Sequence, residues 1–407
     1  MRESEIRNKC KEWDQEHLLQ FYAELSENEQ EELLSQIQET DFSILTSLGD
    51  ETISQRGEIA PIDAVSLEEI QTKKEEFREL GLEEIRKGHV GAVLLAGGMG
   101  TRLGSSHPKG MFNIGETRTV YIFQRLIENM MEVVNEAEVF IPLFIMTSEK
   151  NHEETCSFFK EHDFFGYPEQ KVYFFRQKMA PATDWDGKIL LEKKNRLATS
   201  PNGNGGWFSS MADAGLLQEL DRIGIEWLNV FAVDNVLQKI ADPVFIGAVK
   251  KAGMVSGSKV VAKAEPTERV GVLCLEDGKP SIVEYYELSE EMTYALDKNG
   301  KLLYNYGVIL NYLFRVDTLK DIMNQHLPVH VVKKKIPYID KNGTCVSPEE
   351  PNGYKFEELV LDMIHMMDNC LAFEVERDRE FAPVKNATGK DSVDSARELL
   401  KKNGIEI

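Results

Sequence analysis

A doubly wound α/β fold with a mixed, mostly parallel sheet is predicted for residues 89–385, preceded by a helical N-terminal region over 1–88 and followed by a short helical segment at 386–407. Three observations predict it. Val90 to Leu95 and Val139 to Met146 are short, nearly unbroken apolar runs, the pattern of strands buried on both faces. Segments of helical periodicity alternate with such runs along the chain. The first run breaks into glycines, at the strand end where open α/β sheets hold their ligands.

Taken in order, residues 1–88 carry 10 Lys/Arg against 23 Asp/Glu, −13 of the chain's −22. Apolar positions such as Leu18, Phe21, Tyr22 and Leu25 recur at helical spacing, so this region reads as acidic helices docked by their apolar stripes, the charge forming a solvated face. After the glycines, Val120, Phe123, Leu126, Ile127, Met130, Met131 and Val134 predict an amphipathic helix. Asn151 to Lys160 reads as the next helix and Lys171 to Arg176 as a strand. Trp227 to Val233 predicts a strand that delivers Asp234 at its C-terminal tip. Ser281 to Glu287 alternates, with Ile282, Glu284 and Tyr286 on one face, and Leu302 to Phe314 and Lys333 to Ile339 read as further strands. Phe356, Leu359, Val360, Met363, Ile364 and Met367 predict a second helix, Leu371 to Val375 a strand, and Asp391 to Lys402 a closing helix.

Composition narrows the function. With 42% hydrophobic and 29% charged residues the 407-residue chain is ordinary globular material, long enough for more than one compact unit. An excess of 69 acidic over 47 basic residues argues against nucleic acid or an anionic membrane as partner, because both are bound by positive surfaces. An anionic ligand must therefore meet a local cluster of cations or a metal ion. No apolar stretch approaches the roughly 18 residues of a membrane span, and the charged N-terminus lacks a signal peptide's apolar core. Five dispersed cysteines without CxxC spacing suit reduced thiols, and a cytoplasmic location is expected.

The chemistry concentrates in Leu94 to Met111, LLAGGMGTRLGSSHPKGM. Glycines let main-chain N–H groups approach anionic oxygens, and Arg102 and Lys109 add the charge that neutral amides lack. Spacing from Gly98 through Gly100 to Gly104 misfits the dinucleotide fingerprint, and Lys109 follows a proline, unlike the lysine of a P-loop. Ser200 to Gly206, SPNGNGG, is a second loop rich in turn formers. A carboxylate placed like Asp234 is a natural Mg²⁺ ligand, and one placed like Glu284 can accept two sugar hydroxyls. Histidines are scattered, and no activated nucleophile is visible, so a covalent enzyme intermediate is not expected.

GGxGTRLGxxxPKG after a strand resembles the signature of nucleotide-sugar pyrophosphorylases of the UDP-sugar type, and those handling UDP-N-acetylglucosamine most of all. The likeness continues through IMTS (145–148), DGKILLEKKN (186–195), SPNGNGG, AVDN (232–235), ADPVFIG (241–247), PTERVGV (266–272), VEY (283–285), KKKIPYID (333–340) and FAPVKNA (381–387). It implies a Rossmann-like catalytic domain and a reaction of UTP with N-acetylglucosamine 1-phosphate, a hexosamine 1-phosphate, to give UDP-N-acetylglucosamine and pyrophosphate. It also implies roles: Ala96, Gly97 and Gly98 main chain, Gln177, Gly203 and Asn204 at uracil and ribose; Arg102 and Lys109 at the β and γ phosphates; Lys385 at the α-phosphate; Asp234 on Mg²⁺; Gly271, Glu284 and Tyr285 at the sugar. Three positions depart from the eukaryotic pattern: Val308 replaces an asparagine after Gly307, and Leu359 and Leu361 stand where two phenylalanines are usual. UDP-glucose or UDP-N-acetylgalactosamine formation therefore stays open, as does a UDP-sugar-binding protein without turnover. The chain stops about where eukaryotic relatives add a domain, so a monomer is expected.

Overall fold

A computed structural model describes residues 3–48, 56–323, 325 and 327–407. Two compact units emerge, each assembled from separated stretches. One draws on Met1–Gln55, Gln177–Gly206 and Leu327–Val360; the other on Arg56–Arg176, Trp207–His326 and Leu361–Ile407.

The larger unit is built on an eleven-stranded sheet. Its main path runs Ala64–Val65, Leu371–Glu374, Ser256–Ala262, Tyr306–Arg315, Trp227–Ala232, Val90–Leu95, Leu143–Thr147 and Val172–Arg176. Along this path five pairings are parallel, and both antiparallel ones involve Tyr306–Arg315. Val272–Glu276, Lys279–Val283 and Ile59–Pro61 form an antiparallel branch beside it. Every residue of Val90–Leu95 and of Leu143–Thr147 is buried, as strands covered on both faces require. From Val90–Leu95 the chain winds outward through Leu143–Thr147 to Val172–Arg176, then returns to place Trp227–Ala232 on the other side of Val90–Leu95. At such a reversal in an open α/β sheet the loops that leave neighbouring strands diverge and leave a crevice between them.

Helix Leu67–Arg86 lies within this unit, packed on Pro243–Lys251. Two glycines set the contact: a Cβ on Gly81 would lie 1.9 Å from the Pro243 carbonyl oxygen, and one on Gly247 1.8 Å from that of Phe77. The closing helix Val393–Lys402 buries Val393, Ala396 and Leu400 in the same core. Contiguous domains at 1–88, 89–385 and 386–407 are thus not how the chain divides, because residues distant in sequence share one core. The residues 1–2 and 49–55 of the expected N-terminal region lie outside the described residues.

In the smaller unit, helices Glu3–Glu12 and Glu27–Glu39 pack with the Leu191–Lys193 and Arg196–Leu197 hairpin around Ile6, Cys10, Leu33, Ile37, Ile189, Leu191 and Leu197. Glu29 fixes the second helix by accepting the Ser26 N–H at 2.9 Å, half of a capping box. The stripe Leu18, Phe21, Tyr22 and Leu25 contributes to this core as expected, yet from two short 3₁₀ turns, Glu16–Leu19 and Tyr22–Glu24, the second flanked by Phe21 and Leu25. Two-stranded pairs, His330–Lys334 with Gly353–Glu357 and Met179–Pro181 with Thr199–Pro201, complete the unit.

Helices Ile122–Ala137 and His152–Glu161 and strand Val172–Arg176 form where periodicity placed them. Elsewhere local pattern misleads. The strand expected over Ser281–Glu287 ends at Val283, and a turn closed by the Glu287 N–H on the Glu284 carbonyl (2.9 Å) breaks the alternation. Phe356 belongs to strand Gly353–Glu357, and the helix after it is only Val360–His365, so that stripe spans two element types. Lys333–Ile339 is likewise divided between His330–Lys334 and Tyr338–Ile339.

Gly247→Ala should lower unfolding free energy by about 1–3 kcal/mol, since the methyl must push two helix backbones apart. Urea denaturation reads this directly, and an unchanged midpoint would show the helices to be less tightly apposed.

Candidate active site

The glycine loop leaves the Val90–Leu95 strand in two hydrogen-bonded layers. Ala96 donates its N–H to the Met146 carbonyl (2.8 Å) and offers its own carbonyl to the Asn151 amide (2.9 Å). Farther on, Gly100 N–H meets His107 O at 2.8 Å and Lys109 N–H meets Gly98 O at 3.1 Å, folding the loop back on itself. Gly104 turns it through φ 76°, a left-handed value that costs glycine little. Among the described residues the N–H groups of Gly97 and Gly98 bond to no protein acceptor, and a Cβ on Gly98 would meet nothing within 4 Å. These are the amides an anion can approach. At Ala96 both main-chain groups already have partners within the fold.

Across the crevice, Asp234 follows the Trp227–Ala232 strand, whose Ala232 pairs with Leu95. Its carboxylate stands 3.8 Å from the Lys109 ammonium, with 23% of the side chain exposed. The Asp234 carbonyl accepts the Val384 N–H at 2.8 Å, and Asn235 bridges to Pro383, so the segment bearing Lys385 runs alongside. Asn235 completes the clamp, its amide donating to Glu380 O (2.7 Å) and its side-chain oxygen accepting from Ala382 N–H (2.9 Å). Lys385 is half-exposed and 3.8 Å from Asp391. Burial depresses the Lys109 ammonium below the ordinary lysine range; Asp234 opposes this, while Arg102 and Lys385 reinforce it. Four of the expected residues, Arg102, Lys109, Asp234 and Lys385, therefore share one electrostatic neighbourhood.

Glu284 and Gly271 also meet: a Cβ on Gly271 would lie 3.5 Å from the Glu284 carboxylate and 3.0 Å from Ile282. Tyr285 is 40% exposed, with the Arg269 guanidinium 6.0 Å from its ring. In the smaller unit the Gln177 side chain donates to the Gly203 carbonyl. Gly203 adopts φ 71° and would place a Cβ 2.1 Å from Glu358 O, so only glycine fits. Asn204 accepts the Val360 N–H at 3.0 Å and thereby caps the following helix.

Several supporting residues escaped the sequence reading. Asn151, fully buried, holds the Ala96 carbonyl and accepts the Ser148 N–H. Asn229, Gln238 and Asn311 form a buried amide network beneath the Asp234 loop, with Asn229 accepting Ala241 N–H at 2.7 Å. Lys259, 0% exposed, lies 2.8 Å from Asp242 and 2.6 Å from Glu380. A lysine inside the apolar run SGSKVVA was the available signal, since lysine is rarely buried unless paired. Glu84, His89 and Glu226 group where these parallel strands begin, at the opposite end from Asp234, and Glu84 is already engaged by Lys250 and Lys87.

The class these features define is a nucleotide-binding α/β protein of the doubly wound kind, with its glycine loop and Asp234 at a topological switch point. A family profile for UTP–glucose-1-phosphate uridylyltransferase matches residues 44–402, and the chain belongs to that family. The UDP-N-acetylglucosamine pyrophosphorylase of Saccharomyces cerevisiae is 38% identical over 96% of this chain and 88% of its own length. UDP-N-acetylhexosamine pyrophosphorylase-like protein 1 of Homo sapiens is 37% identical over 98% of this chain and 84% of its own. Among solved structures, the uridine diphosphate N-acetylglucosamine pyrophosphorylase of Trypanosoma brucei superposes with a TM-score of 0.83 at 28% identity, over 97% of this chain and 84% of that one.

Because Lys109 binds its proton less tightly folded than unfolded, its charge costs stability at neutral pH, and that cost is recovered as pH rises through the folded lysine value. Lys109→Met should accordingly be more stable than wild type at pH 7, the difference narrowing at alkaline pH. Denaturant melts across pH check this; a variant less stable at neutral pH contradicts it.

Proposed function

We propose that the protein is a uridylyltransferase that makes UDP-N-acetylglucosamine and pyrophosphate from UTP and N-acetylglucosamine 1-phosphate. The observation that carries this reading is Lys109, 3.8 Å from Asp234 and under the charge of Arg102 and Lys385, in a loop whose Gly97 and Gly98 amides bond to no protein acceptor among the described residues, in a chain of net charge −22. A phosphate oxygen of the sugar phosphate attacks the α-phosphorus of UTP; the new P–O bond forms as the bond to the β-phosphate oxygen breaks, and pyrophosphate leaves. No proton need be moved by the protein. The work is alignment of two repelling polyanions and neutralisation of charge.

In this reading Arg102 and Lys109 hold the β and γ phosphates, and Lys385 meets the α-phosphate. A partly buried Lys109 acts strongly because little water screens it. Asp234 suits Mg²⁺: one partly exposed hard-oxygen carboxylate is what a small dication requires when waters and phosphates supply its other ligands. When bound, Mg²⁺ would offset phosphate charge. Glu284 and Tyr285, with the Gly271 main chain, receive the sugar, while the Ala96, Gly97 and Gly98 main chain, Gln177, Gly203 and Asn204 are assigned to uracil and ribose. No helix among the described residues is long and apolar enough to cross a membrane, and all five cysteines are free thiols; we place the reaction in the cytoplasm.

Pyrophosphate release from UTP plus a panel of sugar 1-phosphates tests the assignment, N-acetylglucosamine 1-phosphate being expected to give the highest kcat/KM. A preference for glucose 1-phosphate would replace the sugar while keeping the chemistry; UDP-sugar binding without turnover would remove the enzyme. Lys109→Ala should reduce kcat/KM at least about tenfold, roughly 1.4 kcal/mol of transition-state stabilisation. Unchanged kinetics would take Lys109 out of the mechanism.

A further inference from the structure

A buried cation lies behind the catalytic cluster and touches none of it. Strand Ser256–Ala262 pairs with Tyr306–Arg315, but the register jumps between Ser258, opposite Tyr312, and Val260, opposite Val308. On the partner strand Leu310 takes φ 52°, uncommon for a residue with a side chain. Such bulges re-aim side chains, and the residue at this one is Lys259. Its ammonium is enclosed by Asp242 (2.8 Å), Glu380 (2.6 Å) and the Lys239 carbonyl (3.4 Å), with the Phe245 ring centroid at 5.7 Å.

Both carboxylates belong to segments that bear site residues. Asp242 ends the loop begun by Asp234 and caps helix Pro243–Lys251 through the Val244 N–H (3.0 Å). Glu380 starts the segment that reaches Lys385; its carbonyl accepts from Asn235, and Val384 N–H then meets the Asp234 carbonyl. Lys259 therefore joins three stretches far apart in sequence: the sheet, the metal-ligand loop and the Lys385 segment.

We propose that Lys259 is a positioning residue, which through Glu380 and Asp242 sets the spacing between Asp234 and Lys385. A stem and ammonium fixed by the sheet give the two loops one common reference point, so that their relative placement does not depend on surface contacts. An apolar residue could fill the volume without specifying where each carboxylate sits.

The kinetic arm of the test rests on the uridylyltransferase reading; the exchange arm does not. In Lys259→Met combined with Glu380→Gln, which removes the cation and one buried anion together, amide hydrogen exchange over residues 381–386 should speed at least about tenfold, while strand Leu143–Thr147 is unchanged. With UTP and N-acetylglucosamine 1-phosphate, kcat should fall at least about tenfold with KM for the sugar phosphate held within about twofold; in a Lys385→Ala background the same pair should cost less than about threefold. Undiminished protection at 381–386 overturns the proposal, as does a full multiplicative loss in the Lys385→Ala background. Should the double variant fail to fold by circular dichroism, Glu380→Gln alone is read by the same two measurements. A wild-type protein that turns over no sugar phosphate sinks the functional reading, and exchange at 381–386 still decides the role of Lys259.

Discussion

Everything at the site depends on two parallel strands, Val90–Leu95 and Trp227–Ala232, that lie side by side and then part. Their last residues, Leu95 and Ala232, are register partners, so the loops after them start next to each other whatever follows. Since one loop must join a strand to its left and the other belongs to a strand on its right, neither can close the space between them. The gap at the switch point is a product of topology. Lys109 reaches it from one side and Asp234 from the other.

That placement answers the problem posed by the chain's charge. A molecule with 69 acidic side chains presents a repulsive surface to polyphosphate, and cations spread evenly would not change this. Gathering them does. Lys109 is perturbed by burial and by Arg102 and Lys385 together, so its charge is held at a cost in the folded protein. Such repulsion persists only if the backbone holds the groups against it. Asn235, Asn151, Asn229 and Gln238 do so by bonding main-chain groups of the loops. Lys259 presents the converse case. Burial works against its charge, yet Asp242 and Glu380 outweigh burial and hold the ammonium above the ordinary lysine range.

Where local pattern and structure disagree, a long-range contact accounts for it. Ser281 to Val283 follow the expected alternation because Val272–Glu276 pairs with them; beyond Val283 that partner ends, and a turn takes over at Glu284. Phe356 looks helical beside Val360 and Met363, but His330–Lys334 pairs with it as a strand. Leu67–Arg86 reads as part of an N-terminal helical region, and its glycine, Gly81, gives no hint by spacing that it abuts Pro243 more than 150 residues away.

Local sequence was enough for the apolar strands, the long amphipathic helix over Ile122–Ala137 and the break of the Val90–Leu95 strand into a glycine loop, because each of these follows from neighbours a few residues apart. Tertiary structure alone decided which unit each stretch joins, that Lys109 meets Asp234 within reach of the Lys385 charge, and that Lys259 is enclosed by two carboxylates from separate loops. These depend on strand order and burial, which are properties of contacts between distant segments, and no periodicity in the chain encodes which distant segment will be the partner.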